Sequence, residues 1–226
     1  VDSYCEANHV FLTESGDMLI FGHVDARNVN ELILQNPTFT SARTLYFSKN
    51  SRITDIESWF YRFRELTTVY SLPEGVTNME ATFRDCTSLV NVPVIPEGVT
   101  DMSYTFYGCT SLDLEKASVI PEGVTDMSFT FYNCSSLVNA PVIPEGVTGL
   151  RYTFSYCSSL AKAPVIPEGV TDMSYTFKDC TSLVNAPVIP EGVSIMSSTF
   201  QGCTSLVKVP VIPEGVTDMS YTFYGC

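Results

Sequence analysis

From residue 73 onward the apolar positions return in a single rhythm. Val99, Met102, Phe106, Cys109 and Leu112 have equivalents in every complete copy, with Leu150 standing where the others carry methionine. The first four are spaced 3, 4 and 3 apart. That spacing keeps side chains on one face of a helical turn, so Ser103 to Cys109 is predicted as one helical or 3₁₀ turn. Asp101 or Ser103 would cap it. The residues from Val99 to Met102, and from Leu112 onward, are predicted as extended. Polar and turn-forming residues punctuate the pattern. Each copy opens on Pro-Glu-Gly, at Pro73, Pro96, Pro121, Pro144, Pro167, Pro190 and Pro213. Proline presets φ for the turn, and Gly98 and its equivalents would supply a positive φ. A second proline, such as Pro141 or Pro164, restricts the Ala-Pro-Val-Ile segment to a short strand or a polyproline-like piece.

Five of the intervals between these prolines are 23 residues and one is 25. A fixed period in this range is the signature of a solenoid, in which each short coil stacks on the next. The two extra residues fall within Asp113 to Ser118. They are expected to bulge outward and expose Glu115 and Lys116, while Leu112 and Ile120 keep their places. The pattern starts before the clean copies. Ile53-Thr-Asp-Ile56, Phe60, Phe63 and Leu66 keep the same spacing, with Trp59 in the threonine place and Phe63 in the cysteine place. Further upstream, Leu32-Ile-Leu34-Gln-Asn36 and Leu45-Tyr-Phe47-Ser-Lys-Asn50 fit a Leu-x-Leu-x-x-Asn pattern. Val10–Leu12 and Met18–Phe21 flank Glu14-Ser-Gly-Asp17 and read as a β-hairpin. The expected fold is a repeat solenoid: a leucine-rich-repeat-like, right-handed coil stack with short parallel strands and one-turn helical or 3₁₀ segments. Residues 1–27 would form an N-terminal β-hairpin cap, 28–72 degenerate leucine-rich coils, and 73–226 seven 23-residue repeats, the last incomplete. With Cys226 in mid-repeat, a continuation of the chain or a chain-to-chain contact is expected at that end.

Composition narrows the functions. Charged residues are 16% of the chain and sum to −13, which excludes a nucleic-acid backbone as partner. No apolar run approaches the length of a membrane span. The chain starts at Val1 with no signal peptide, which fits a processed secreted chain or a fragment. Seven of the eight cysteines, Cys86 to Cys226, occupy one repeat position. Their Cβ vectors would run parallel, whereas a disulfide needs them to converge, so they are expected to be buried thiols. Cys5 stands apart and is expected to be free.

With Val-Thr-Asp-Met-Ser-Tyr-Thr-Phe-Tyr-Gly-Cys-Thr-Ser-Leu (Val99 to Leu112) in view, the chain resembles the BspA-like leucine-rich repeat family. It is closest to the branch reading Val-Thr-x-Met-Ser-x-x-Phe-x-x-Cys-x-x-Leu. The resemblance is strong over 73–226 and weak over 28–72, and it does not reach 1–27. It implies a curved solenoid, a surface or secreted location, and adhesion or ligand binding, with no catalytic residues to carry over. The family occurs in gut and oral bacteria, parasitic protists and phages. The Ala-Pro-Val-Ile segment departs from the family's Leu-x-x-Leu-x-Leu strand, which weakens the expectation of a continuous sheet.

Candidate chemistry is sparse. His9 and His23, the only histidines, both lie in the cap and read as scaffold residues. The glutamates of the Pro-Glu-Gly turns, Glu74 to Glu214, form a column that would splay into solvent or bind Ca²⁺ weakly; no other cofactor is expected. The threonines Thr82 to Thr222 form a column of the kind that orders ice if exposed, or that bonds backbone carbonyls if buried. The aromatics carry the clearest hint. Tyr104, Phe129, Tyr152, Tyr175 and Tyr221 share one position, and Tyr107, Tyr132 and Lys178 share another that varies from copy to copy. Two readings stand: an exposed stripe that recognises glycan or protein, or tyrosines stacking on one another to shield the coil edges. The chain is thus expected to be a non-enzymatic extracellular or cell-surface module that presents a binding surface to a host glycan or protein. A phage virion protein, tail- or capsid-associated, and a spacer for an enzyme beyond Cys226 are the alternatives.

Overall fold

The computed structural model describes residues 3–5, 10–20, 26–48, 53–112, 114 and 120–226. His9, His23 and the expected bulge at Glu115 and Lys116 lie outside the described residues. Leu112 and Ile120, on either side of that bulge, are both buried.

The N-terminal part is a five-stranded sheet in the order β1-β2-β3-β4-β5. β1 (Ser3–Cys5), β2 (Val10–Leu12) and β3 (Asp17–Ile20) are antiparallel, and Val10 pairs with Ile20. The β2–β3 turn contains Gly16 at φ 87, a left-handed conformation that glycine adopts without strain. β4 (Thr44–Phe47) and β5 (Thr68–Val69) then join in parallel, β4 against β3 and β5 against β4. Of the segment Leu32 to Asn36, expected to be part of a leucine-rich coil, Leu32 to Gln35 belong instead to an α-helix. α1 spans Ala26–Gln35 and is followed by a 3₁₀ turn, Pro37–Ser41, capped by the Asn36 side chain. α1 lies in the crossover between the parallel strands β3 and β4, a connection that a helix commonly makes.

From Ile53 to Cys226 the chain coils without any helix among the described residues. Here the structure corrects the expected helical or 3₁₀ turn. Backbone N–H groups alternate in destination. Met79, Ala81, Phe83 and Asp85 donate to Asp101, Ser103, Thr105 and Tyr107 of the next coil, at 3.0, 3.0, 3.0 and 2.7 Å. Thr82, Arg84, Cys86 and Leu89 donate to the residue three back in their own coil, each at 3.1 Å. The segment is a chain of β-turns. The buried spacing of three comes from successive turns and not from a helix face. A single helical turn would leave its first and last polar groups unpaired, whereas stacked turns satisfy them across coils.

Turn chaining requires left-handed residues. Two columns have positive φ, four residues apart in each coil. One is Ala81, Tyr104, Phe129, Tyr152, Tyr175, Ser198 and Tyr221; the other is Asp85, Gly108, Asn133, Tyr156, Asp179, Gly202 and Gly225. The second column is filled with Gly, Asn and Asp, the residues that tolerate this conformation best, with Tyr156 the exception. The glycines of Pro-Glu-Gly, expected at positive φ, are not among the left-handed residues. A Cβ added at Gly98 would meet the Val76 carbonyl at 3.4 Å, an ordinary contact, so nothing in the structure explains its recurrence.

Strand pairing between coils shrinks to single parallel bridges. One column runs Asp55, Asn78, Asp101, Asp126, Gly149, Asp172, Ile195 and Asp218, and another includes Asn139, Lys162 and Asn185. In the first column, Asp101 Oδ1 accepts the Ser103 N–H at 2.9 Å and so caps the turn that follows.

Like packs on like in the core. Phe60, Phe83, Phe106, Phe131, Phe154, Phe177, Phe200 and Phe223 stack near-parallel, with successive ring centroids 5.7 to 5.9 Å apart. Trp59 and Phe63 close the first coil edge-on against Phe60. The threonine column is buried: Thr105 Oγ1 donates to the Met79 carbonyl of the preceding coil at 2.9 Å and to Met102 of its own at 2.7 Å. This burial overturns the ice-binding reading. The cysteines make the same kind of link. Cys109 Sγ donates to the Phe83 carbonyl at 3.1 Å and Cys157 Sγ to that of Phe131 at 3.1 Å. Cys86, Cys109, Cys134, Cys157, Cys180, Cys203 and Cys226 are all free. Burial pushes the Cys157 and Cys203 thiols up to about 12 and holds Cys109, Cys134 and Cys180 well above the ordinary thiol range.

Phe154 is fully buried with a stacking neighbour on each side. Phe154→Ala is expected to lower unfolding free energy by about 3–5 kcal/mol in a denaturant melt, since a rigid stack cannot collapse around the void. The thiols give a pH dependence. Their folded values lie above the ordinary 9.0, so their stabilising effect is complete below that pH and is lost as pH rises towards 12. Melting temperature is expected to fall over this window, and less steeply in Cys157→Ala. A thiol reagent is expected to modify exposed Cys226 promptly and Cys109, Cys134, Cys157 and Cys180 only after denaturation.

Candidate functional site

The aromatic residues form one continuous cluster along the stack. Tyr104, Phe129, Tyr152 and Tyr175 lie face to face in successive coils, with centroids 4.6, 4.5 and 4.3 Å apart and planes within 9° of parallel. Tyr107 stacks on Tyr132 at 4.5 Å, and Tyr156 tilts against Tyr132 at 5.2 Å. Cations close both ends. The Arg84 guanidinium sits 4.8 Å from the Tyr107 ring and 5.6 Å from those of Tyr104 and Tyr61. Lys178 Nζ sits 5.6 Å from the Tyr156 ring and 5.9 Å from that of Tyr175. Seven of the eight residues expected as a binding stripe thus come together. The eighth, Tyr221, is cut off by Ser198, stands 68% exposed and meets Tyr224 edge-on. Arg84 and Tyr61 join the cluster from the position that follows the buried phenylalanine, which Tyr107, Tyr132 and Lys178 share, and Tyr156 joins from one residue further on in its coil.

The cluster's energetics follow from its backbone. Each of Tyr104, Phe129, Tyr152 and Tyr175 holds a left-handed conformation that costs a non-glycine residue about 1–2 kcal/mol. A stacked aromatic pair returns about 0.5–1.5 kcal/mol beyond its buried area. The two are of one size, so stacking holds these turns in shape. The ring faces are taken by neighbours, and what reaches solvent is a row of half-buried edges and hydroxyls. Burial, together with the Tyr107 and Tyr156 hydroxyls nearby, raises Tyr132 to about 12.

A second surface lies on the Pro-Val-Ile-Pro segment. Strand-like alternation turns its isoleucine inward and its valine outward. Ile95, Ile143, Ile166 and Ile189 are buried, while Val94, Val142, Val165, Val188 and Val211 are 78 to 88% exposed. Grooves separate successive valines. One, of about 250 Å³, is lined by Pro164, Val165, Glu168, Pro187, Val188 and Pro190; the next, of about 260 Å³, by Pro187, Val188, Glu191, Pro210, Val211 and Pro213. A third, near the other end, includes Glu74, Val94 and Glu97. Every glutamate of the turn column is exposed. This valine row was not foreseen from the sequence. Its signal was present: valine stands in each of these copies, while the exposed position three residues earlier changes between Asn139, Lys162, Asn185 and Lys208.

Among the described residues no group of three or more His, Cys, Asp or Glu is placed to hold a metal ion, and no helix is long and apolar enough to cross a membrane. What these features define is a solenoid of stacked turns whose outer columns repeat from coil to coil. Residues 103–226, more than half of the chain, match the BspA type leucine rich repeat region in six copies. The chain belongs to this family. Residues 38–143 also match a family described as a Mycoplasma protein of unknown function. No curated protein matches. Among solved structures, the leucine-rich repeat protein TpLRR of T. pallidum is 20% identical with a TM-score of 0.50, the alignment covering 99% of this chain and 91% of that one. A leucine-rich repeat protein of Bacteroides ovatus is 19% identical with a TM-score of 0.56, covering 96% of this chain and 60% of that one. Both likenesses extend to the fold.

Tyr152→Ser removes two stacking partners at once. It is expected to cost about 1–3 kcal/mol in a denaturant melt, while Tyr221→Ser, outside the stack, costs under about 0.5 kcal/mol.

Proposed function

We propose that this chain is a non-enzymatic binding or adhesion module displayed outside the cell, and that its partner is a protein before it is a glycan. The family suggests a binding or adhesion role in general and is generally non-enzymatic. One observation carries the choice of partner: five valines at a single repeat position, 78 to 88% exposed, the most exposed large apolar side chains among the described residues. A contiguous apolar surface of this kind marks a protein contact. Sugar rings are bound by open aromatic faces, and here the faces are stacked on one another. The test is to present the chain to host cell-surface protein and glycan arrays, alongside a Val165→Ser/Val188→Ser variant. Both valines are so exposed that folding is expected to change by less than about 0.5 kcal/mol. Protein spots are expected to lose about tenfold or more in affinity with the double variant. Glycan binding that survives the double variant and is lost in Tyr152→Ser would overturn the choice and return the aromatic cluster to first place.

A further inference from the structure

We infer that the valine–proline face receives a cationic amphipathic α-helix of a partner protein, laid along the stack with about one helical turn per groove. The inference rests on the reading of that face as the binding surface. Periodicity is its first support. The grooves at Val165–Val188 and Val188–Val211 are offset by one coil, and adjacent paired backbones lie about 4.8 Å apart. An α-helix repeats every 5.4 Å, so its side chains at i, i+3 or i+4, and i+7 fall out of step by only about 0.6 Å per groove. An extended peptide repeats every 6.6–6.8 Å on one side and loses register within two grooves.

Charge is the second support. Glu168 and Glu191 line the same grooves as Val165, Val188 and Val211, and Glu74 and Glu97 do so beside Val94. Each of these three grooves thus combines an apolar lining with at least one glutamate. On the other side of the valines the column reads Asn91, Asn139, Lys162, Asn185 and Lys208, mostly neutral with two lysines. A helix with Lys or Arg along the flank facing the glutamates matches both sides. A second copy of this chain matches the spacing perfectly but brings a further −13 charges and another glutamate column.

Two synthetic peptides of one composition, rich in Leu and Lys and about five helical turns long, make the test. One places Leu on a single face flanked by Lys; the other scrambles the order. Fluorescence anisotropy against the whole chain is expected to show the patterned peptide binding about tenfold tighter or better, with helix appearing by circular dichroism. Glu145→Gln/Glu168→Gln/Glu191→Gln/Glu214→Gln is expected to weaken binding severalfold and flatten its salt dependence. Val142→Ser/Val165→Ser/Val188→Ser/Val211→Ser is expected to abolish it, and Tyr221→Ser/Tyr224→Ser to leave it unchanged. Equal binding of the scrambled peptide, indifference to the glutamate changes, or valine-dependent dimers by light scattering would each overturn the helix. If the helix fails while host-protein capture still depends on Val165 and Val188, the broader binding role stands. If capture is also independent of the valines, both fall.

Discussion

One constraint governs this molecule: each coil must sit in register on its neighbour so that alternate backbone N–H groups leave the coil and find a carbonyl one level away. Past Val69 the described residues contain neither helix nor extended strand, so these groups pair from coil to coil. Register forces every side chain to meet its own repeat equivalent. A repeat position is therefore tolerable only if its residue packs on itself. Phenylalanine does so by near-parallel stacking, and threonine and cysteine do so by handing a hydrogen bond to the coil before. Glutamate is the hard case, since it faces its own charge, and it is found only where water can screen it.

The same constraint explains why the outer aromatics stack. Chained turns need left-handed residues, and several of these positions carry rings. Face-to-face contact offsets the backbone cost and stiffens the outer rim of the coils. Where the run ends, Arg84 and Lys178 cover the last rings, so the cluster is closed at both ends by charge. The expected exposed stripe is in large part a structural brace, and Tyr221 is the member left open.

A repeated surface also shapes how such a protein binds. Among the described residues no group of three or more His, Cys, Asp or Glu is placed to hold a metal ion, and the two grooves beside Val188 measure only about 250 and 260 Å³. One groove offers little affinity. Grooves repeated along a solenoid would offer a long partner a sum of small contacts.

The sequence by itself determined the architecture. The 23-residue interval, the apolar register from Val99 to Leu112 and the array's start near Ile53 all follow from periodicity, because a stacked coil leaves its period in the chain. The paired thiols and threonines were readable too, since parallel equivalents cannot bridge and a buried hydroxyl needs a carbonyl. Tertiary structure decided the rest. A spacing of three and four is shared by a helix face and a run of β-turns, and only the inter-coil hydrogen bonds separate the two. The pattern of Leu32 to Asn36 served a helix as well as a coil, and in the fold Leu32 to Gln35 are helical. Whether Tyr152 offers its face or its edge, and whether Val165 points inward or outward, depends on neighbours 23 residues away in the chain. Local sequence has no record of those contacts.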